Sequence, residues 1–285
     1  MKMGLYQLLA AISGDSAGAD AGEPAPAGGD QQGELFGDPA QNGSGFSPPG
    51  KADIAIMAAL HSSAGMDLAV LPPHARRLFE LSVDALEAIV HAWMSELPVI
   101  AETIRFGQKI LAAADAAAAA DSGLEAAQQW AADAQRQAAK TAAADRGDAD
   151  TRAVLEAAYK VWHEIHRLMG LLRFSPDETG VYIARCEPDH LVLPALGPHF
   201  RERFGQTPWA VIDEKRRLGV SCSGTGLEFF ITGENSVSLG NPPDSEWENM
   251  WRHYHKTINN ESRNNPDLQR RFMPQRYWKY LTELT

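Results

Sequence analysis

Cysteine is almost missing from this 285-residue chain: only Cys186 and Cys222 are present, and neither belongs to a CxxC pair. No disulfide framework, zinc finger or iron–sulfur cluster can organise such a chain, and the usage suits a reduced, cytoplasmic protein. Long apolar runs are also wanting. The longest are broken by charge or dominated by alanine, far short of the roughly 20 strongly apolar residues of a spanning helix, so no membrane association is expected. The opening run from Gly4 to Ile12 is interrupted by Tyr6 and Gln7 and is not expected to act as a secretion signal. The familiar catalytic signatures are absent too: no Walker A pattern, GxSxG, HExxH, Rossmann fingerprint or CxxxCxxC radical cluster occurs. No cofactor and no resident metal are therefore expected.

With 44% hydrophobic and 22% charged residues the composition is that of a globular protein, and the length allows one large or two modest cores. The net charge of −11 is unevenly placed. Residues 151–285 hold 17 Lys+Arg and 17 Asp+Glu, whereas residues 1–150 hold 9 and 20. The acidity of the whole chain thus says nothing about the partners of its neutral C-terminal half.

Patterning divides the chain into four stretches. Residues 1–12 read as an N-terminal helix. Residues 13–50, rich in Gly, Ala, Pro, Ser and Asp with only Phe36 and Phe46 as bulky groups, read as a flexible linker or insertion. Residues 51–149 read as helical, with three helices between Ala52 and Leu111. An Ala-rich insertion follows over 112–149, solvated or partly disordered because Leu124 and Trp130 are its only large apolar groups. Residues 150–285 read as an α+β domain. A helix capped by Asp150 or Thr151 carries Val154, Leu155, Ala158, Trp162, Ile165, Leu168, Met169 and Leu172 on one face. Strands follow at Val181–Cys186, Pro208–Asp213, Leu218–Ser223 and Leu227–Thr232, with Gly224-Thr225-Gly226 as a turn. Helices are expected over Leu191–Phe204, from Asp244 or Ser245 to Ile258, and from Pro274 to Leu284. The fold class is α+β: a helical N-terminal half, then a small antiparallel sheet packed with helices and a C-terminal helix.

The tail is the stretch richest in chemistry. Between Met250 and Thr282 stand Arg252, Lys256, Arg263, Arg270, Arg271, Arg276 and Lys279 against Glu261 and Asp267, a local charge of +5. Trp251, Tyr254, Phe272, Tyr277, Trp278 and Tyr280 interleave with them. A nucleic-acid groove uses this mixture, because guanidinium groups hold phosphates and aromatic faces stack on bases. The same residues also suit a packed terminal helix with Trp278 and Leu281 inside, or a tail folded inward so that its arginines pair with Glu187 or Asp189. His163 and His166, three apart on one helix, share a face, and His190 and His199 are further candidates, but two ligands do not make a metal site. Cys186 beside Glu187, Asp189 and His190 has the residue types of a nucleophile and base, yet a cysteine within an apolar strand is more often core. Asp213-Glu214-Lys215-Arg216-Arg217 reads as a charged connection whose bases could add a phosphate contact.

Taken together, Trp162-His-Glu-Ile-His166-Arg167-Leu-Met-Gly170-Leu-Leu-Arg173-Phe174, Glu187-Pro-Asp-His190, Pro198-His199-Phe200, Arg203-Phe204, Trp209 and Arg263-Asn-Asn-Pro266 through Arg276-Tyr-Trp-Lys-Tyr-Leu-Thr-Glu283 resemble the bacterial family called "probable DNA metabolism protein". The likeness covers residues 155–285 densely. The family's C-terminal domain is one of unknown function, and the resemblance implies association with a radical-SAM DNA repair or modification protein encoded alongside. Related domains are fused to uracil-DNA-binding members of the uracil-DNA glycosylase superfamily. Here the segments 13–50 and 112–149 look like additions, and Gln275 stands where the family commonly has a basic residue.

Three readings follow. In the first, a DNA-binding accessory protein, Arg263, Arg270, Arg271, Arg276 and Lys279 contact phosphates, Trp278 or Tyr280 stacks, and His166, Arg167 and Arg173 line the adjoining surface. In the second, an enzyme acts on a damaged base or nucleotide through His166, Asp189, His190 and His199 as acid–base groups or ligands. In the third, a protein–protein adaptor uses Trp251, Tyr277 and Trp278 as anchors and touches no DNA.

Overall fold

A computed structural model describes residues 3–13, 49–62, 71–120, 128–224, 226–232, 246–263 and 265–283. The linker of 14–48, the Thr225 turn position, the cap of the helix before Glu246 and the end of the tail at Leu284 lie outside the described residues. The chain forms two compact units that meet in sequence between His163 and Glu164.

The first unit is helical: α1 (Leu5–Ser13), α2 (Lys51–Leu60), α3 (Pro73–Leu81), α4 (Val83–Met94), α5 (Ile100–Ala120), α6 (Gln128–Ala144) and the first part of α7 (Ala149–Leu171). Four helices therefore begin between Lys51 and Leu111 where three are expected. The additional break falls at Ser82, whose extended backbone ends α3 while its side chain caps α4 by accepting from the Ala85 amide at 3.2 Å. The core gathers Leu5, Leu8, Leu9 and Ile12 of α1 with Phe106 and Ile110 of α5, all buried. Their approach is close at Gly107, where a Cβ would stand 2.6 Å from Ile12. The Ala-rich stretch is ordered on either side of residues 121–127, which are not described. There α6 packs along α5, with Ala114 and Ala139 fully buried and the other residues whose burial is described over 112–120 and 130–144 exposed or half-buried. Helix α7 is capped two positions before Asp150, the nearer of the two expected caps. Asp148 Oδ1 accepts from the Thr151 amide at 2.9 Å and from its hydroxyl at 3.0 Å.

The second unit holds the end of α7, then β1 (Ser175–Pro176), β2 (Tyr182–Cys186), α8 (Leu193–Phe204), β3 (Trp209–Asp213), β4 (Leu218–Cys222), β5 (Leu227–Ile231), α9 (Glu246–Ile258) and α10 (Pro266–Phe272). The five strands form one sheet in sequence order. The α+β class is as expected, but the sheet is mixed: β2 and β3 pair in parallel, and the other three pairs are antiparallel. The cause is α8, because a helical crossover returns the chain to the end of the sheet from which β2 started. Pro194 opens α8 and Pro198 lies buried within it. Helix α8 covers β3, β4 and β5 with Leu193, Leu196 and Phe200 buried, and every residue of β3 is buried. On α7 the buried stripe is Val154, Ala157, Ala158, Val161, Ile165 and Leu168, continued by Leu172 just past its end, while Trp162 is exposed. Glu164 shares this stripe and is only 2% exposed.

Candidate nucleic-acid interface

Within the helix expected from Pro274 to Leu284, the tail is helical over Gln275–Tyr280 and of the 3₁₀ type. Three residues per turn align Arg276 with Lys279 and Tyr277 with Tyr280. Each pair finds acidic partners within the same unit. Arg276 Nη2 donates to Glu164 Oε1 at 2.9 Å and stands 2.7 Å from Asp189 Oδ2. The Tyr277 hydroxyl donates to Glu164 Oε1 at 2.5 Å. Lys279 Nζ donates to Glu187 at 2.7 Å, and the Tyr280 hydroxyl to Glu214 at 2.7 Å. Tyr277 and Leu281 are buried, and Trp278 donates its indole N–H to the Met273 carbonyl at 2.9 Å.

Glu164 is the centre of this arrangement and is the residue that sequence reasoning passed over. Its Oε1 also accepts from the Asp189 amide, and its Oε2 from the His190 amide, each at 2.8 Å. Burial alone would raise the carboxyl's pKa. Donation from Tyr277, the two amides and Arg276 outweighs it and holds the pKa below its ordinary value. The available signal was a carboxylate on the apolar stripe of α7, since a buried charge has to be paired and hydrogen-bonded.

The candidate phosphate contacts thus fall into two groups. Arg173, Arg276 and Lys279 are engaged within the second unit, Arg173 through a fork onto Glu283 with Nε at 3.1 Å and Nη2 at 2.5 Å. Arg263 and Arg271 are exposed, and among the described residues no carboxylate pairs with either. Arg271 lies over the Phe272 ring at 5.9 Å. Arg270 is exposed with Asp267 at 3.1 Å, an open pair of the kind that contributes little. Arg167 is half-buried on α7. Lys256 on α9 is exposed and also forms no ion pair among the described residues. Exposed rings run through this stretch: Trp251, Tyr254 and Phe272.

The acid–base candidates are dispersed in role. His166 is exposed on α7. His190 is buried and gives its amide to Glu164, and Asp189 is turned to Arg276. His199 is half-buried, and its Nε2 is buried without a hydrogen-bond partner. Burial lowers its pKa, as does Arg203 beside it. His163 packs its ring against Tyr159 at 4.2 Å. Among the described residues no group of three His, Cys, Asp or Glu is arranged to hold a metal.

Cys186 is buried in β2 with Sγ 3.6 Å from the Ile212 carbonyl. Burial pushes the thiol's pKa well up, the opposite of an activated nucleophile. Arg216 is buried and gives Nη1 to Asp213 at 2.8 Å and Nη2 to the Asp189 carbonyl at 2.6 Å. It fixes the loop after β2 and is not placed to meet a phosphate.

No curated protein and no solved structure gives a significant match to the chain. A family model does match, over residues 128–283, more than half of the sequence and a span that takes in α6, α7 and the second unit. The chain belongs to this family, DUF4130, a domain of unknown function.

Proposed function

We propose that this protein is a nucleic-acid-binding accessory factor of DNA metabolism that works with a radical-SAM enzyme repairing or modifying DNA. The observation that supports it is the exposed stretch from α9 to α10. There Lys256, Arg263 and Arg271, none paired with a carboxylate among the described residues, alternate with the exposed rings of Trp251, Tyr254 and Phe272. Cations free of internal partners release counterions when they meet phosphates, and exposed rings stack on unpaired bases. The enzyme partner comes from the resemblance to the DNA-metabolism family. Purified chain should bind a fluorescent single-stranded oligonucleotide without any partner, with log affinity falling linearly in log salt. Absence of binding at low salt would refute the reading.

A second reading, the adaptor, has its own support. Met250, Tyr254 and Ile258 recur four residues apart on α9, and Leu268 and Phe272 do so on α10, all at least half exposed. Ridges of this kind anchor protein partners. Co-purification of the radical-SAM protein that survives nuclease treatment and is lost on Ile258→Asp would establish it.

A further inference from the structure

Neither the tail contacts nor the exposed basic stretch accounts for a cleft of about 510 Å³ in the second unit. Its walls include Phe174, Tyr182 of β2, Phe204 of α8 and Trp251 of α9, with Arg173, Arg203 and Glu248 as charged groups. The size falls in the range of small-ligand sites, roughly 300–1,000 Å³. The rings brace one another. The Phe204 centroid lies 4.7 Å from that of Phe174 and 5.7 Å from that of Tyr182.

Helix α9 is joined to this aromatic wall by polar links. The Trp251 indole N–H donates to Glu283 Oε2 at 3.0 Å, Arg173 donates to the same oxygen, and the Arg173 guanidinium lies 5.7 Å from the Trp251 ring. The Ser175 hydroxyl reaches Glu248 Oε1 at 3.5 Å. Charges of both signs therefore face an aromatic interior, Arg173 and Arg203 with Glu248. Glu248 is largely covered, stands 3.6 Å from Arg252 Nη2 and has further lone pairs with which to accept hydrogen bonds when ionised, whereas Arg203 is exposed and forms no ion pair among the described residues.

We infer that this cleft receives one unstacked nucleobase of a bound strand. Its ring lies among Phe204 and Trp251, its N–H edge faces Glu248, and its phosphate meets Arg203. A nucleobase in a strand combines a planar π-face, N–H donors and an attached anion, the three features the cleft complements. Trp251 and the unpaired Lys256 are about 7.5 Å apart along the axis of α9, so a strand placed in the cleft continues toward the basic stretch. This assignment rests on the nucleic-acid reading above.

The test compares two single-stranded 12-mers of equal charge, one carrying bases and one built wholly of tetrahydrofuran abasic units, by anisotropy competition with the full chain. The base-bearing strand should bind at least about fivefold more tightly, from roughly 1–3 kcal/mol per stacked base. Trp251→Leu and Phe204→Leu should each remove most of that preference while leaving abasic-strand binding unchanged, and Tyr159→Leu, an exposed ring of the first unit, should not. Trp251 is partly exposed, so its variant tests the cleft even where Phe204→Leu unfolds. Arg203→Ala should lower the affinity of both strands and reduce the salt slope by about 0.7. Equal affinities in the wild type, or a preference that survives Trp251→Leu in folded protein, would overturn the cleft assignment and leave the nucleic-acid reading standing. Failure of both strands to bind would overturn both.

Discussion

Glu164→Gln is the substitution that bears hardest on the second unit. The wild-type carboxylate accepts four hydrogen bonds, three on Oε1 and one on Oε2, and supplies the buried negative charge facing Arg276. Glutamine keeps the shape but replaces one oxygen with a donor. Placed at Oε2, that NH2 meets the His190 N–H head-on, leaving a buried donor unsatisfied, while the remaining oxygen becomes a neutral acceptor for Tyr277, Arg276 and the Asp189 amide. A buried donor left unpaired costs about 1–3 kcal/mol. Arg276 is partly exposed and keeps Asp189 at 2.7 Å, so no buried charge is stranded and the expected loss is about 1–3 kcal/mol. For a cooperative unit of this size that lowers Tm by roughly 2–12 °C.

Calorimetry or circular dichroism on the purified variant measures it. The pH dependence supplies an independent sign. Because the folded-state pKa of Glu164 lies below its ordinary 4.5, its contribution to stability is fully present above pH 4.5 and is lost as pH falls through the folded value. The variant should lose that part of the acid dependence. A fall in Tm of less than about 2 °C, with an unchanged acid profile, would show that the tail is not held by this carboxylate.

Other outcomes follow from the same structure. In the first unit His91, its pKa pushed down to about 3 by burial and by His61, shares an Nε2–Nε2 hydrogen bond of 2.9 Å with His61, whose own pKa burial lowers. Protonation is thus disfavoured in the folded state, so urea stability should fall as pH drops below about 6.5, by up to about 1.4 kcal/mol per pH unit for each excess proton bound on unfolding, and His91→Gln should flatten that slope. Gly219→Ala places a Cβ 2.2 Å from the Phe230 ring across the β4–β5 pair, and should cost about 1–3 kcal/mol in chemical denaturation unless Phe230→Leu accompanies it. Cys186 should react with a thiol reagent only at the rate of unfolding, and prompt modification of native protein at this position would contradict its place in the core.

Much of the fold was legible because patterning reports burial. Strands β2 to β5 fall within a residue or two of the runs marked by β-branched and aromatic residues. The direction of one strand was not, although the clue was present. A 12-residue helix between β2 and β3 implies a crossover, and hence a parallel pair in an otherwise antiparallel sheet. The roles of the tail cations were legible only as alternatives. Composition places Arg276 and Lys279 among seven bases, but which of them meet Glu164, Asp189 and Glu187 depends on contacts 87 to 112 residues apart in sequence. Glu164 itself illustrates the limit. In Trp162-His-Glu-Ile-His166 two histidines with more conspicuous chemistry stand beside it, whereas its position on the apolar stripe of α7 is the informative fact.

In the proposed function the exposed cations outside the tail contacts bind a nucleic-acid backbone. Its most direct test is the salt dependence of single-stranded DNA affinity for the wild type and for Arg263→Ala/Arg270→Ala/Arg271→Ala, between about 50 and 200 mM salt. With up to three phosphate contacts removed at about 0.7 each, the log–log slope should flatten by up to about 2, and Tm should stay within a few degrees because these side chains are exposed. An identical slope in wild type and variant, or no salt dependence in either, would remove this surface from the account.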